Sequence, residues 1–313
     1  MTLHDTSSTP RSETFCGHCR LSDWGVIDAQ GEDAAQFLHG QLTQDVLLLA
    51  VGQARLAAFC SAKGRMQASF WLLKRSADSV LLIMPKALIA RTVKRLSMFV
   101  LRSKVQLRDA GDAWSLWGEV APSAPASPAP ASVETVEGGY LLTIHPALGH
   151  DRKLCILQAD GPVPARPELS APVWDWLEVR SAVGFVTEAT FEAFVPQMLN
   201  YESLGGVNFK KGCYPGQEVV ARSQFRGTLK RRAALWHGSD ATPCPAGTEL
   251  FAPDDSSQPC ATVVASAPCP DGQGQDLLVS GTLEGMAQGR LLHADHPAGF
   301  TPLPLPYPLL EDI

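Results

Sequence analysis

Residues 207–232 read VNFKKGCYPGQEVVARSQFRGTLKRR, and the reading of the chain starts from this stretch. Gly212 and Gly216 bracket Cys213, Tyr214 and Pro215; Gln217 and Glu218 follow, then the helix-capable run Val219, Val220, Ala221, Arg222. A glycine turn that opens a helix leaves backbone N–H groups unpaired and backed by the positive end of the helix dipole. That arrangement suits carboxylates and phosphates. Lys210, Lys211 and Arg222 add full positive charge, and a cysteine in such surroundings favours thiolate over thiol. Cys213 is therefore the candidate reactive residue. A second reading stays open, in which the same segment is a structural turn around a buried, inert cysteine.

Upstream of this block, Trp24 to Asp28 reads as a short strand. Phe37, Leu38, Leu42 and Val46 follow at helical spacing, with Glu32 and Asp33 suited to a first helical turn. Leu56 to Cys60 and Met66 to Leu73 read as strands joined by the hairpin turn Ser61-Ala62-Lys63-Gly64-Arg65. Val80 to Met84 is a further strand, Pro85 ends it, residues 86–100 carry a helical pattern, and Val105 and Leu107 begin another strand. The order predicts an α+β unit built on an antiparallel sheet. Residues 121–132, APSAPASPAPAS, read as an exposed linker or loop. Strands are expected near 139–144 and 153–158, and Ser170 with Pro172 marks a helix start carrying Trp174, Trp176 and Leu177. Beyond Arg232, short apolar runs alternate with Gly/Pro turns, which predicts a small β-barrel over 233–313.

Composition narrows the function classes. The chain has 313 residues, 45% hydrophobic and 19% charged, which suits two or three globular domains. No apolar run reaches membrane-spanning length, and the polar start MTLHDTSSTPRSETF has no apolar signal core, so the expected location is cytoplasmic. Eight cysteines without a framework spacing fit reduced thiols. A net charge of −6 argues against direct nucleic-acid binding, yet the charge is uneven. Ser79 to Arg108 contains no acid but holds Lys86, Arg91, Lys94, Arg95, Arg102, Lys104 and Arg108. Arg222, Arg226, Lys230, Arg231 and Arg232 form a second cluster. Such patches serve either to hold a compact polyanion or simply as a solvated face. Cys16-Gly17-His18-Cys19 is a C-x-x-C outside any βαβ context, and no paired Cys/His spacing completes a metal site, so no metal is expected.

The 207–232 block resembles the KGCY-x-GQE-x-x-x-R signature of the YgfZ-type folate-binding proteins, which are relatives of the glycine cleavage T-protein and of eukaryotic iron–sulfur assembly factors. The flanks fit as well: Phe194-Val195-Pro196-Gln197 and Asn200, Leu204-Gly205-Gly206, Phe225-Arg226-Gly227, Gly40-Gln41-Leu42-Thr43-Gln44-Asp45-Val46, and Leu305-Pro306-Tyr307. The resemblance runs from about residue 21 to the C-terminus.

This resemblance implies a T-protein-like fold: a flexible segment over 1–20, two α+β folate-binding subdomains over 21–112 and 113–232, and the C-terminal barrel. It implies tetrahydrofolate as the ligand, with Trp24 and Trp176 offering flat indole faces to the pterin, although a lone tryptophan of either context also suits core packing. Lys211 and the other basic residues would meet a polyglutamate tail, while Tyr214, Gln217, Glu218 and Arg222 shape the loop around Cys213. The implied role is support of iron–sulfur cluster assembly or repair, and thereby of tRNA modification, with iron–sulfur client enzymes or assembly proteins as partners and no direct membrane contact. Similar proteins often carry an acid two residues before Lys63, where this chain has Ser61. The acid used by aminomethyl-transferring relatives is missing from 79–108, which disfavours that reaction. One rival is an active one-carbon transferase on the same fold. Another is a thiol oxidoreductase using Cys16 and Cys19.

Overall fold

The structure, a computed structural model, describes residues 14–162, 165–225 and 229–310. Residues 1–13 of the expected flexible segment, and Arg226 with Gly227 of the family-like flank, lie outside the described residues. In chain order the elements are β1 (Gly17–Arg20), β2 (Trp24–Gln30), α1 (Ala34–His39), β3 (Ala54–Cys60), β4 (Met66–Ser76), β5 (Ser79–Pro85), α2 (Ile89–Ser97), β6 (Gln106–Asp109), β7 (Trp114–Pro122), β8 (Val133–Val136), β9 (Gly139–Ala147), β10 (His150–Gln158), α3 (Ala171–Arg180), α4 (Gln217–Phe225), β11 (Arg231–Gly238), β12 (Glu249–Ala252), β13 (Asp255–Pro268), β14 (Gln275–Thr282), α5 (Leu283–Met286), β15 (Leu291–His293) and β16 (His296–Leu303).

Two five-stranded antiparallel sheets and a closed barrel result. The first sheet runs β3-β4-β5-β2-β6, the second β1-β7-β10-β9-β8, and the barrel β11-β14-β13-β12-β15-β16. The first sheet forms where the expected strands and hairpin lie, because its central strands are apolar on both faces: Ala68, Phe70, Trp71, Leu72 and Leu73 in β4, and Val80 to Met84 in β5, are all buried. Helix α1 is shorter than its apolar spacing predicts. Leu42 and Val46 are buried but not helical. The cause is Thr43, whose backbone pairs with Ala58 and Asn208 and whose hydroxyl bridges the Ala58 N–H at 2.9 Å and the Gly206 carbonyl at 2.7 Å. Those bonds pull the chain off the helix axis.

The second sheet contains three strands that the sequence did not signal: Gly17–Arg20, Trp114–Pro122 and Val133–Val136. Trp114–Pro122 lies between β1 and β10, and Gly17–Arg20 pairs antiparallel to it in the register Gly17↔Val120 to Arg20↔Trp117. The C-x-x-C is therefore drawn into the sheet. Cys19 lies in β1 and is buried, whereas Cys16 just before it is exposed. Three residues of extended chain span about 10 Å, beyond the reach of a disulfide. Burial also pushes the Cys19 thiol up to about 12. Both observations remove the geometry that an oxidoreductase using this pair would need. The Pro/Ala/Ser stretch begins inside β7, at Ala121 and Pro122, and continues as exposed turns.

Helix α3 starts at Ser170 and Pro172 as expected and lies between the second sheet and the barrel. On its inner side Trp174 is buried against Gly118, where an added Cβ would stand 2.4 Å from the indole, and the Arg152 guanidinium lies 4.5 Å over its ring. Towards the barrel it presents Trp176 and Arg180 to Asp276. The barrel has its own core of Trp236, Leu250, Val263, Leu277, Val279 and Phe300.

Candidate functional site

The two glycine turns singled out in the sequence meet in space. In the β3–β4 hairpin, Ser61 N–H donates to the Arg65 carbonyl at 2.8 Å and Gly64 N–H to the Ser61 carbonyl at 2.9 Å, with Gly64 at φ +71. Gly216 sits at φ +79 against this turn. A Cβ on Gly216 would stand 2.4 Å from the Ser61 oxygen and 2.6 Å from Gly64 Cα; one on Gly64 would stand 2.9 Å from Val219 Cβ. Both positions need glycine twice over, for positive φ and for backbone approach. Arg65 strengthens the junction through the Ala193 carbonyl at 2.5 Å, and Gln197 ties α4 back with a 2.7 Å bond to the Val220 carbonyl.

The loop before Gly216 is anchored by Lys211. Its ammonium is buried and donates to the His39 carbonyl at 2.6 Å and the Leu42 carbonyl at 2.9 Å, closing the C-terminal end of α1. The same nitrogen lies 4.6 Å over the Tyr214 ring. Burial lowers the Lys211 pKa to about 8, with Asp45 and Cys213 acting in the opposite direction. Burial likewise pushes the Tyr214 phenol up. The sequence reading had Lys211 as a free cation for a ligand; its charge is instead spent on backbone carbonyls.

Cys213 is exposed, between these two anchored neighbours. That excludes the reading of a buried structural cysteine. The anion site expected at the start of α4 is partly used up: Gln217 N–H donates to the Tyr214 carbonyl at 3.1 Å, and Val219 and Val220 N–H both reach the Gly216 carbonyl. Gln217 is half-buried, while Glu218 and Arg222 are exposed and pair with each other at 3.0 Å.

Trp24 opens β2 opposite Pro85 and is half-buried, edge-on to Phe185 with ring centroids 4.9 Å apart. Trp176 is also half-buried, but its ring meets Phe15 at 6.0 Å and its N–H is held by the Asp276 carboxylate at 2.7 Å. Among the described residues no aromatic contact joins the two tryptophans. The basic patches are partly neutralised. Lys104 pairs with Glu32, Arg108 with the buried Asp28 at 3.3 Å, and Arg232 with the buried Glu202 at 2.5 Å. Arg91 lies 4.0 Å over Phe191 beside a cleft of about 90 Å³ that also takes in Phe59, Gln67 and Arg95. Lys63, Lys86, Lys94, Arg102 and Lys210 are exposed and make no ion pair among the described residues.

His39 and Asp45 were not expected at the site. His39 Nδ1 stands 3.2 Å from the Asp45 carboxylate, and Gly212 packs beside the imidazole, where a Cβ would lie 3.5 Å from Nε2. Their signal was present in the Gly40–Val46 segment, which carries Asp45 and adjoins His39. Gln44 adds a bond to the Gly205 carbonyl.

No family model matches the chain. Among curated proteins, the tRNA-modifying protein YgfZ of Photobacterium profundum is 31% identical over 306 residues, covering 92% of this chain and 91% of its own length. YgfZ of Photorhabdus laumondii is 30% identical over 307 residues, covering 93% and 92%. Among solved structures, the glycine cleavage system aminomethyltransferase T of Bartonella henselae superposes with a TM-score of 0.61 at 15% identity, covering 87% of this chain and 80% of its own. That likeness establishes a T-protein-like fold, with antiparallel sheets and a closed six-stranded C-terminal barrel.

Proposed function

We propose a function from one premise: this chain belongs to the YgfZ family, whose relatives match it at 30–31% identity over more than nine-tenths of both lengths. The proposed protein binds tetrahydrofolate and supports the assembly or repair of iron–sulfur clusters, and through those clusters the modification of tRNA. The relatives' name, tRNA-modifying protein, supports the last step. The observation that carries the reading is the anchored loop. Two abutting glycines and a buried lysine hold Cys213 exposed, with the exposed Lys210 in the same loop.

The residues present fit a folate. Trp24 is half-exposed, steadied by Phe185, and offers a planar face to a pterin. Lys63, Lys86, Lys94 and Lys210 are free to meet carboxylates of a glutamate tail. When bound, a folate supplies a carrier for one-carbon units. The chain's own contribution is to stack the ring, neutralise the tail and present the Cys213 thiol. One-carbon transfer on this fold stands second, because Ser79 to Arg108 supplies no carboxylate to act as base.

A titration with tetrahydrofolate in monoglutamate and polyglutamate forms tests the reading. Longer tails should bind more tightly and added salt should erase the gain. Replacing Trp24 with Ala should weaken binding by about 1–3 kcal/mol, on the scale of base–aromatic stacking. Trp176→Ala should do the same, and Trp176→Phe separates loss of the ring from loss of the bond to Asp276. Unchanged affinity in both alanine variants, with the fold intact, would rule the assignment out.

A further inference from the structure

At the seam between α3 and the barrel, far in sequence from the Cys213 loop, three metal-binding side chains converge. His237 on β11 and Asp276 on β14 are direct cross-strand partners. Cys269 follows the end of β13, and its N–H donates to the Gly274 carbonyl at 3.0 Å, a turn that folds the sulfur back over the pair. His237 Nδ1 stands 2.9 Å from Asp276 Oδ1 and 3.9 Å from Cys269 Sγ, and one donor atom from each residue lies within 4.8 Å of the others. We propose that His237, Cys269 and Asp276 form a binding site for a borderline-soft divalent ion of the zinc class.

The donor spacing suits such an ion. A tetrahedral metal bound at about 2.0–2.3 Å to N, O and S spreads its ligand atoms about 3.2–3.7 Å apart, and the observed 2.9 and 3.9 Å bracket that range. The chemistry is selective, since thiolate with imidazole favours zinc over calcium or magnesium. The surroundings resemble the outer shell that metal carboxylates require. Asp276 Oδ2 is already held by Trp176 Nε1 at 2.7 Å and by Arg180 at 3.1 Å, which leaves Oδ1 turned to His237. Asp276 is buried, whereas His237 and Cys269 are half-buried, so an ion has a route in and a side open to water as a fourth ligand.

The charges also balance. The carboxylate and a thiolate offset a dication, and Arg180 remains paired to the outer oxygen. As the metal–sulfur bond forms the thiol proton leaves to water, and the imidazole binds through Nδ1 with its proton on Nε2.

The experiment uses the full chain, reduced and freed of metal by chelation, titrated with cobalt(II). Expected are a thiolate-to-cobalt charge-transfer absorption that saturates at one equivalent, its loss on adding zinc, and its absence in Cys269→Ser. Trp176→Phe, which removes one outer bond to Asp276, should weaken cobalt binding about tenfold. In the unmodified protein, zinc should slow alkylation of Cys269 without slowing that of Cys16 or Cys213, a readout independent of any variant. Absence of the band at excess cobalt, or a band undiminished in a folded Cys269→Ser variant, would overturn the site and leave a hydrogen-bonded network that docks α3 on the barrel.

Discussion

Gly216 and Gly205 both have positive φ, at +79 and +70, but their surroundings differ. Gly205 has nothing within 4 Å of an added Cβ, whereas Gly216 faces backbone atoms of Ser61 and Gly64 that have no room to retreat. Gly205→Ala should therefore cost only the left-handed backbone penalty, about 1–2 kcal/mol. Gly216→Ala adds overpacking and should cost about 2–5 kcal/mol in total. Urea unfolding of both variants checks this; equal losses would mean that the turn contact is not specific. The neighbouring residue carries a second expectation. Cys16 and Cys213 are exposed, while burial raises the thiols of Cys19, Cys60, Cys155 and Cys269 to about 12 and those of Cys244 and Cys260 by less. Near neutral pH a mild alkylating agent should modify Cys213 and Cys16 first, as mass spectrometry of all eight would record. A Cys213 slower than the buried thiols would return it to a structural role.

Among the elements, α1 is the one most dependent on a distant residue. It has only six residues, and its last carbonyl, that of His39, finds its donor in Lys211, across 172 positions of sequence. Lys211→Met keeps the stem but removes two charge-assisted bonds to buried carbonyls, and should destabilise the protein by about 2–4 kcal/mol. It should also increase hydrogen exchange through residues 39–46 and 208–214. Unaltered exchange there would show that the loop is held by other contacts. This element also shows what could be read in advance. The strands of the first sheet were legible because apolar runs are bounded by turn residues, Pro85 after Val80–Met84 and the turn Ser61–Arg65 between Leu56–Cys60 and Met66–Leu73. The span of α1 was not, since the bonds from Thr43 that end it come from Ala58 and Asn208. Strand β1 escaped notice for a related reason: Gly17–Arg20 has no apolar period and takes its conformation from its partner. At the site, the residue types in the Cys213 loop were legible as a motif, but the role of Lys211 was not, because a lysine reads as a solvated charge until its partners are known. The His237, Cys269 and Asp276 group carries no spacing signal at all, since cross-strand pairing brings it together.

At the scale of the molecule, two sheets, the outer face of the barrel and the C-terminal tail share one apolar core, and polar contacts fix how they meet. Asn200, in the left-handed conformation at φ +57, bonds both the N–H and the carbonyl of Ala233 and reaches the Tyr307 hydroxyl at 3.3 Å. Tyr307 donates in turn to the Ala182 carbonyl at 2.8 Å. This accounts for the distant family-like residues Asn200 and Tyr307 lying together. His145 on β9 sits at the same meeting point, with Trp71 of the first sheet and Tyr307 of the tail each 6.2 Å away by ring centroids. Burial, aided by the Arg152 charge, lowers its pKa from 6.5 to about 4. In that interval the unfolded chain binds a proton that the folded chain refuses, so stability falls as pH drops from 6.5 towards 4 and is unaffected by this residue above that range. The shift corresponds to a loss of up to about 3 kcal/mol. His145→Gln, which cannot titrate, should lose less stability than the parent between pH 7 and pH 4 in urea unfolding, even if it begins less stable at neutral pH. Parallel pH profiles for the two proteins would show that the imidazole accepts its proton without disturbing the junction, and that the acid sensitivity of the fold originates in other groups.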